Sequence, residues 1–173
     1  MAKHDEEFRV FAASALGPLR ATGYLMCGDW HRAEDAAQEA LVRLYLAWSR
    51  VERTEALLAY ARRTTVRILV DESRRAWRRR ERPGDPGDLG DLDRPAADPA
   101  ERVVESEALV SALAQLAPQR RACVVLRYYG DLSVAETARA LGCSEGTVKS
   151  QTSDALRALR PLLDDTVTPG RNP

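Results

Sequence analysis

The chain has 173 residues, and its 26 basic residues balance its 26 acidic residues. This length allows one or two small domains, and the sequence has no apolar run long enough to cross a bilayer. The three cysteines are odd in number and far apart, which argues against a disulfide framework and favours a reducing compartment. The start, MAKHDEEF, lacks the apolar core of a signal peptide. We therefore expect a cytoplasmic protein.

The histidines and cysteines offer little for catalysis or metal binding. His4 and His31 have no nucleophile at useful spacing, so an enzyme is not predicted. Cys27 and His31 could share a helical face or turn, but no second pair of ligands follows nearby, which disfavours zinc. Cys123 and Cys143 fall at apolar positions and are expected in the core. We expect no cofactor and no metal.

The even charge balance hides a strong segregation along the chain. Residues 62–82 hold nine arginines and three acidic residues, whereas residues 83–101 hold one arginine and six acidic residues. Residues 118–163 are basic again, with seven basic and four acidic residues. An ordinary solvated helix face can also be basic, but nine arginines within residues 62–82 are more than such a face usually carries. Two basic segments with an acidic one between them indicate two contacts with a polyanion.

The spacing of apolar residues predicts an all-α chain, because strand alternation is absent. We expect a first helix over residues 5–16, a break at Gly17-Pro18, and a second helix from Pro18 to about residue 26. Asp29 is a plausible N-cap for a third helix over residues 30–48. A fourth helix is predicted from Glu55 to about Glu81, after a polar loop over residues 49–54.

Residues 83–101, PGDPGDLGDLDRPAADPAE, include four prolines, three glycines and six acidic residues. Such a segment cannot bury enough apolar surface to fold alone and is predicted to be a flexible linker. We therefore expect two small helical domains. The predicted division is a first domain over 1–82, an acidic linker over 83–102, a second, four-helix domain over 103–165 and a disordered tail over 166–173.

The stretch Leu132–Leu163 predicts a helix-turn-helix. Ser133 and Glu136 have the spacing of a capping box, and Gly142 suits a left-handed C-cap before the turn. A plain pair of packed helices is the alternative. The second helix offers short hydrogen-bonding side chains at its leading end, as a DNA major groove requires. These residues are Ser144, Glu145, Thr147, Lys149, Ser150 and Gln151.

Apolar residues at steps of three and four define the inward faces of these two helices. On the first helix we expect an inward face of Ala135, Ala138 and Leu141. On the second helix we expect an inward stripe of Val148, Thr152, Leu156, Leu159 and Leu163.

Three stretches, taken in order, resemble the extracytoplasmic-function (ECF) group of bacterial RNA polymerase sigma factors. DWHRAEDAAQEALVRLYLAW resembles the helix that binds core polymerase. AYARRTTVRILVDESRRAWRRR resembles the helix that melts and reads the −10 promoter element. LAQLAPQRRACVVLRYYGDLSVAETARALGCSEGTVKSQTSDALRALRPLL resembles the domain that reads the −35 element. The resemblance covers nearly the whole chain and implies core polymerase and promoter DNA as partners; an anti-sigma factor is a further partner that it leaves open.

The resemblance also implies roles for individual residues. The acidic, amide-bearing face of the third helix would bind core polymerase, through Asp35, Gln38, Glu39 and Arg43. The arginines of the fourth helix approach phosphates, and the loop before it lies where the family captures an extruded base. Candidates for the −10 element are Arg53, Thr54, Tyr60, Arg62, Arg63, Arg67, Arg74 and Arg75. Candidates for the −35 element are the six residues named above at the leading end of the second helix of the helix-turn-helix.

The chain departs from the family pattern at three places. Arg67 stands four residues before Asp71, where the family commonly has Asn, so the −10 preference is expected to differ. Gln151 stands where the family usually has Arg, and Asp154 adds a negative charge one turn on. Gln can read adenine through two hydrogen bonds, but phosphate affinity is expected to fall.

Two other classes of function are alternatives to a sigma factor. A stand-alone helix-turn-helix repressor or response regulator explains Leu132–Leu163 but not the first domain, and it would bind DNA without polymerase. A helical adaptor that binds only protein would show no dependence on DNA. The acidic linker of a sigma factor is expected to pass near the nucleic-acid channel of the polymerase, where its charge mimics a nucleic acid.

Overall fold

The computed structural model describes residues 2–51, 56–80 and 107–167. Within these ranges the chain is helical and contains no strand, which confirms the predicted all-α class. The predicted flexible linker lies outside the described residues, as does the end of the tail. The helices are α1 Ala2–Cys27, α2 Trp30–Ala47, α3 Leu57–Arg80, α4 Glu107–Ala114, α5 Pro118–Val124, a π-helical turn Val125–Tyr129, α6 Val134–Leu141 and α7 Glu145–Val167.

Helix α1 runs without interruption through Pro18, so the predicted break at this position is wrong. Proline has no backbone N–H and removes one hydrogen bond from a helix interior. The hydroxyl of Thr22 donates to the carbonyl oxygen of Pro18 at 2.8 Å. Ala15 and Leu19, on either side of Pro18, are both buried in one cluster with residues of α2. Packing on both sides of Pro18 thus keeps the helix continuous.

Helices α1, α2 and α3 form the first half of the fold, in which α1 and α2 cross closely. A side chain at Gly23 would approach Ala33 to 2.9 Å, so the crossing needs a residue without Cβ at this position. Asp29 caps α2 as predicted, since its carboxylate accepts from the backbone N–H groups of His31 at 2.9 Å and Arg32 at 3.2 Å. The predicted inward stripe of α2 is buried: Ala33, Ala37, Leu41, Leu44 and Trp48.

Helix α3 packs against both of them and continues to Arg80. Ala61, Thr65 and Leu69 are buried as expected, and Leu58 is half-buried. The hydroxyl of Thr65 donates to the carbonyl oxygen of Ala61 at 3.0 Å, which satisfies a polar group on the buried face. The predicted start at Glu55 lies outside the described residues.

The second half contains the predicted helix-turn-helix, formed by α6 and α7. Ser133 and Glu136 form both hydrogen bonds of a capping box, at 3.1 Å and 2.8 Å. Gly142 has φ 64° and ψ 38°, the left-handed conformation predicted for the C-cap. Helix α7 continues to Val167, so the prediction that residues 166 and 167 belong to a disordered tail is wrong.

The inward faces of α6 and α7 differ in part from the predicted ones. Ala135 is exposed, and Thr137 is buried instead. On α7, Leu156 is 37% exposed, whereas Ala155 is fully buried. A helix turns by about 100° per residue, so residue 155 lies closer than residue 156 to the line through Val148 and Leu159.

The two halves pack against each other. Helix α1 contacts α4, α5 and the π-helical turn, while α3 contacts α5 and α6. One cluster of buried residues includes Met26 and Val70 from the first half with Leu116 and Leu126 from the second. Arg121 of α5 donates to the carbonyl oxygens of Met26, Ala114 and Leu116. The predicted domains thus share buried apolar surface.

Candidate polymerase and nucleic-acid interfaces

The leading end of α7 is presented to solvent. The hydroxyl of Ser144 accepts from the backbone N–H of Thr147 at 3.1 Å, which is the predicted N-cap. Glu145, Lys149 and Ser150 are exposed, and Thr147 is half-buried. Because Val148 is fully buried, this end of α7 is anchored while its outer face is free to enter a groove.

Gln151 lies at the edge of that outer face and is half-buried. Arg120 of α5 donates from Nε to the side-chain oxygen of Gln151 at 3.2 Å. Arg120 also forms an ion pair with Asp154 at 3.6 Å, and Asp154 pairs with Arg157 at 3.4 Å. A guanidinium has donors and no acceptor, so it must bind the oxygen of the amide. This bond orients the amide of Gln151 and uses one of the two lone pairs of its oxygen, so the amide can still offer an acceptor and a donor to DNA.

The arginines of α3 fall into two groups. Arg67, Arg74 and Arg75 are exposed, whereas Arg62 and Arg63 are half-buried. The guanidinium of Arg63 lies 5.8 Å from the ring centre of Tyr60, so these two predicted residues are neighbours. Arg53 and Thr54 lie outside the described residues.

Two arginines of α3 contact the second half of the chain. The guanidinium of Arg62 lies 5.3 Å from the ring centre of Tyr129. Arg74 donates to the side-chain oxygen of Gln119 at 3.2 Å and lies 3.9 Å from the carboxylate of Asp71. Arg62 and Arg74, which are predicted to bind the promoter, thus also contact other side chains of the same chain.

Trp77 was not singled out from the sequence, although it is 70% exposed near the end of α3. It lines a cleft between α3 and α5 together with Arg74, Arg78 and Gln119. The signal was the aromatic residue inside the basic run RRAWRRR. Aromatic rings beside a positively charged groove are stacking platforms for unpaired bases.

The predicted face of α2 is exposed at all four positions, Asp35, Gln38, Glu39 and Arg43. Gln38 donates to Glu34 at 3.1 Å, and Arg43 pairs with Glu39 along the helix.

Apolar side chains continue this face towards the end of α2. Val42 is 58% exposed and Leu46 is 72% exposed, while Tyr45 borders a groove with Phe8 and Gln38. The hydroxyl of Tyr45 donates to Asp5 at 2.9 Å, and this hydrogen bond raises the pKa of Tyr45. Sequence reasoning placed the charged residues but missed the apolar ones, whose exposure depends on what α1 covers.

The surroundings of the Cys27 thiol favour a structural role for this side chain. It donates to the carbonyl oxygen of Asp29 at 3.2 Å, and burial raises its pKa to about 11. A metal ligand must be a thiolate, which this environment disfavours. No cluster of three or more potential metal ligands occurs within residues 2–51, 56–80 and 107–167.

Two family models match the chain. "Sigma-70 region 2" matches residues 12–79, and "Sigma-70, region 4" matches residues 106–159. An RNA polymerase sigma-E factor of Streptomyces coelicolor is 33% identical over 157 residues, which cover 91% of this chain and 86% of that protein. The chain belongs to the sigma-70 family, in its ECF group.

Other relatives agree with this assignment. The ECF RNA polymerase sigma factor SigL of Mycobacterium tuberculosis is 34% identical to this sigma factor over 143 residues, covering 81% of this chain and 79% of SigL. The structure of the Bartonella quintana sigma factor RpoE in complex with the anti-sigma factor NepR superposes with a TM-score of 0.68 at 21% identity. It covers 92% of this chain and 98% of that one, which shows the shared fold.

This sigma factor binds core RNA polymerase and directs transcription initiation at promoters with −10 and −35 elements. It is an initiation factor and not an enzyme, as the sequence indicated. None of the described helices is long and apolar enough to span a membrane.

Proposed function

We propose that this sigma factor uses three separate surfaces of its own chain for initiation: the exposed face of α2, the basic face of α3 and the leading end of α7. The observation that carries the proposal is that all three surfaces are at least partly exposed and lie within the segments matched by regions 2 and 4. The functional division follows the predicted boundaries, 1–82 and 103–165, with the linker between them.

The face of α2 docks onto core polymerase through Asp35, Gln38, Glu39 and Arg43. Exposed apolar residues on the same helix support this role, since Val42 and Leu46 would be covered in the complex. An exposed apolar patch with a polar rim is typical of a protein interface. The charged residues then set the register with a basic helical surface of the polymerase.

The basic face of α3 binds the −10 element. Arg67, Arg74 and Arg75 are exposed and positioned for phosphates, and Trp77 supplies a ring on which an unpaired base can stack. Arg62, Arg63 and Tyr60 extend the face toward the start of the helix. Arg53 and Thr54 stay assigned to the capture of an extruded base on the resemblance alone.

The leading end of α7 reads the −35 element in the major groove. Ser144 caps the helix, and Lys149 supplies a mobile charge for a phosphate or a guanine edge. Glu145, Thr147 and Ser150 lie beside it for short polar contacts. Gln151 contributes an amide that Arg120 holds in one orientation.

We also infer two properties of the cellular setting. The factor acts in the cytoplasm, where core polymerase and the chromosome lie. An anti-sigma factor is a candidate regulator, because a structure with the same fold was solved in complex with an anti-sigma factor.

Run-off transcription with core polymerase on a genomic promoter library tests the proposal. The full chain should direct initiation from a defined subset of promoters that share two sequence elements. A variant with Asp35→Arg and Gln38→Ala should lose this activity while keeping its helical content. Initiation without promoter selection, or DNA binding that core polymerase does not alter, would contradict the proposal.

A further inference from the structure

The cleft that Trp77 lines has the size of a site for a small molecule. Its volume is about 720 Å³, and pockets for small organic ligands commonly measure about 300–1,000 Å³. The lining includes Val70 and Leu116, which are buried, as well as the exposed ring of Trp77. A ligand in this cleft can therefore cover apolar surface and an aromatic ring at the same time.

The charged side chains of the cleft all carry a positive charge. They come from α2, α3 and α5: Arg32, Arg74, Arg78 and Arg121. None of the described residues that line the cleft is acidic. Two of the arginines have a carboxylate beside them, since Glu72 lies 3.3 Å from Arg32. Asp71 lies 3.9 Å from Arg74. The other two have no carboxylate partner in the described part of the chain, so the cleft favours an anion.

Arg121 is a fixed positive charge in this cleft. Its guanidinium donates to three backbone carbonyl oxygens, those of Met26, Ala114 and Leu116, which hold it in place. Burial lowers the pKa of Arg121, and the positive charge of Arg32 acts in the same direction. Two positive charges from different helices thus repel each other at the cleft. A bound anion would offset this repulsion.

An aromatic ring beside converging arginines matches the two parts of a nucleotide. Every base can stack on an aromatic ring, and a guanidinium can donate two parallel hydrogen bonds to a phosphate. Arg74 and Arg78 lie one turn apart on α3, on either side of Trp77 in the sequence. Arg32 and Arg121 lie on α2 and α5, outside the face of α3 assigned to the −10 strand. The cleft thus offers charges that a strand on α3 does not require.

We propose that the cleft between α3 and α5 binds a free nucleotide, whose base stacks on Trp77 and whose phosphate groups lie among the four arginines. This site goes beyond the proposed function, because it needs neither core polymerase nor a promoter. An unpaired promoter strand also carries bases and phosphates. The test therefore has to separate a free nucleotide from a strand.

Isothermal titration calorimetry of the full chain with ADP, without DNA or polymerase, tests the site. ADP should bind at one site per chain. Adenosine lacks the phosphates and pyrophosphate lacks the ring, so each should bind roughly tenfold or more weakly than ADP. No heat of binding with ADP at about 1 mM would overturn the inference, since it would leave only an affinity too weak for a built site. Equal affinities for ADP and pyrophosphate would also overturn it, because the ring would then contribute nothing.

Variants of α3 test the two parts of the site. Trp77→Ala should weaken ADP binding roughly five- to hundredfold, whereas Trp77→Phe should keep most of the affinity. Arg78→Ala should weaken ADP binding and reduce its dependence on salt. Arg79→Ala is the matched control, because Arg79 is exposed on the same helix and does not line the cleft. All these side chains are exposed, so the variants should fold. ADP affinity at wild-type level in Trp77→Ala would contradict the proposal.

A substitution on the opposite side of the cleft separates the two sources of a nucleotide. Ala114, at the end of α4, is exposed and lines the cleft, so Ala114→Glu places a negative charge beside the phosphates. It should weaken ADP binding roughly tenfold and leave the affinity for a fluorescein-labelled strand of thymidines unchanged. Gln115→Glu is the control, since Gln115 is exposed and does not line the cleft.

The outcomes at these two positions decide between the sources. Equal ADP affinities for Ala114→Glu and Gln115→Glu would overturn the inference. An equal loss of ADP and strand binding in Ala114→Glu would assign the cleft to the DNA strand and would also overturn it. Because the titrations use the free chain, these failures are distinct from a loss of run-off transcription, which would contradict the proposed function instead.

Discussion

Arg120 donates its Nε–H to the side-chain oxygen of Gln151 at 3.2 Å and so orients that amide. Reading adenine requires both the oxygen and the NH₂ group of the amide, because adenine offers a donor and an acceptor in the major groove. The bond from Arg120 uses one of the two lone pairs of the oxygen, so the amide can still present both groups to one base edge, in the orientation that Arg120 sets. A residue on α5 thus constrains the orientation of a candidate base-reading amide on α7.

We expect Gln151→Ala to flatten the base preference at one position of the −35 element, at a cost of about 1–3 kcal/mol for the preferred base. Arg120→Ala should weaken the preference at that same position, because the amide of Gln151 is then no longer held in one orientation. Lys149→Ala is the comparison and should lower activity almost uniformly, as expected for a phosphate contact. Transcription from a saturation library of the element measures all three. Unchanged preferences in Gln151→Ala would remove Gln151 from the base-reading set.

Replacing Arg74 and Arg75 by Ala should reduce open-complex formation. Rising salt should lower open-complex formation more steeply in the wild type than in this variant. Each phosphate contact releases counterions, so the slope of log affinity against log salt should fall by about 1 for each lost contact. Permanganate reactivity of the −10 bases over a salt series measures the effect. Because Arg74 also binds Gln119, the single variant Arg75→Ala tests the loss of a phosphate contact without disturbing that hydrogen bond.

Trp77→Ala should slow promoter melting, whereas Trp77→Phe should retain most of it. Stacking of a base on an aromatic ring contributes about 1–3 kcal/mol, and phenylalanine keeps a ring for this contact. Trp77 is 70% exposed, so the change should leave the melting temperature of the free protein nearly unchanged. Stopped-flow fluorescence of a 2-aminopurine in the −10 element reports the rate. Equal rates for the alanine variant and wild type would mean that Trp77 does not contact the melted strand.

The apolar part of the α2 face gives a prediction about core polymerase. Val42→Ser with Leu46→Ser should weaken core binding at least as much as Asp35→Arg with Gln38→Ala, because buried apolar groups carry much of the affinity of an interface. Stability should change little, as both residues are exposed at 58% and 72%. Glu107→Arg, an exposed charge change on α4, is the control. Pull-down of core polymerase at wild-type level by the serine variant would exclude these two residues from the interface.

The capping box of α6 gives a pH-dependent prediction. The hydrogen bond from the Ser133 backbone N–H lowers the pKa of Glu136 below its ordinary value of 4.5. A lowered pKa in the folded state means that the stabilisation is present above pH 4.5 and is lost as the pH falls through the folded pKa. Glu136→Gln should therefore reduce the change in unfolding free energy between pH 6 and pH 3, measured by urea titration. Ser133→Ala should cost about 0.5–2 kcal/mol at neutral pH.

Local features of the second half could be predicted from the sequence because short-range chemistry sets them. The capping box at Ser133 and Glu136, the left-handed Gly142 and the N-cap at Ser144 involve residues at most three positions apart. Such contacts form wherever the backbone starts or ends a helix, whatever surrounds it. The buried stripe of α2 was predictable for a similar reason, since helical periodicity alone sets it.

The sequence alone thus determined the helical class, the helix-turn-helix, the two basic segments and membership of the sigma-70 family. Only the tertiary structure decided that α1 passes through Pro18, because packing on both sides of the proline outweighs its lost hydrogen bond. It also decided that Tyr129 lies against Arg62 and that Arg120 holds Gln151. These partners are 67 and 31 positions apart in the sequence. No local sequence pattern indicates which distant side chain will contact a guanidinium or bind a side-chain amide.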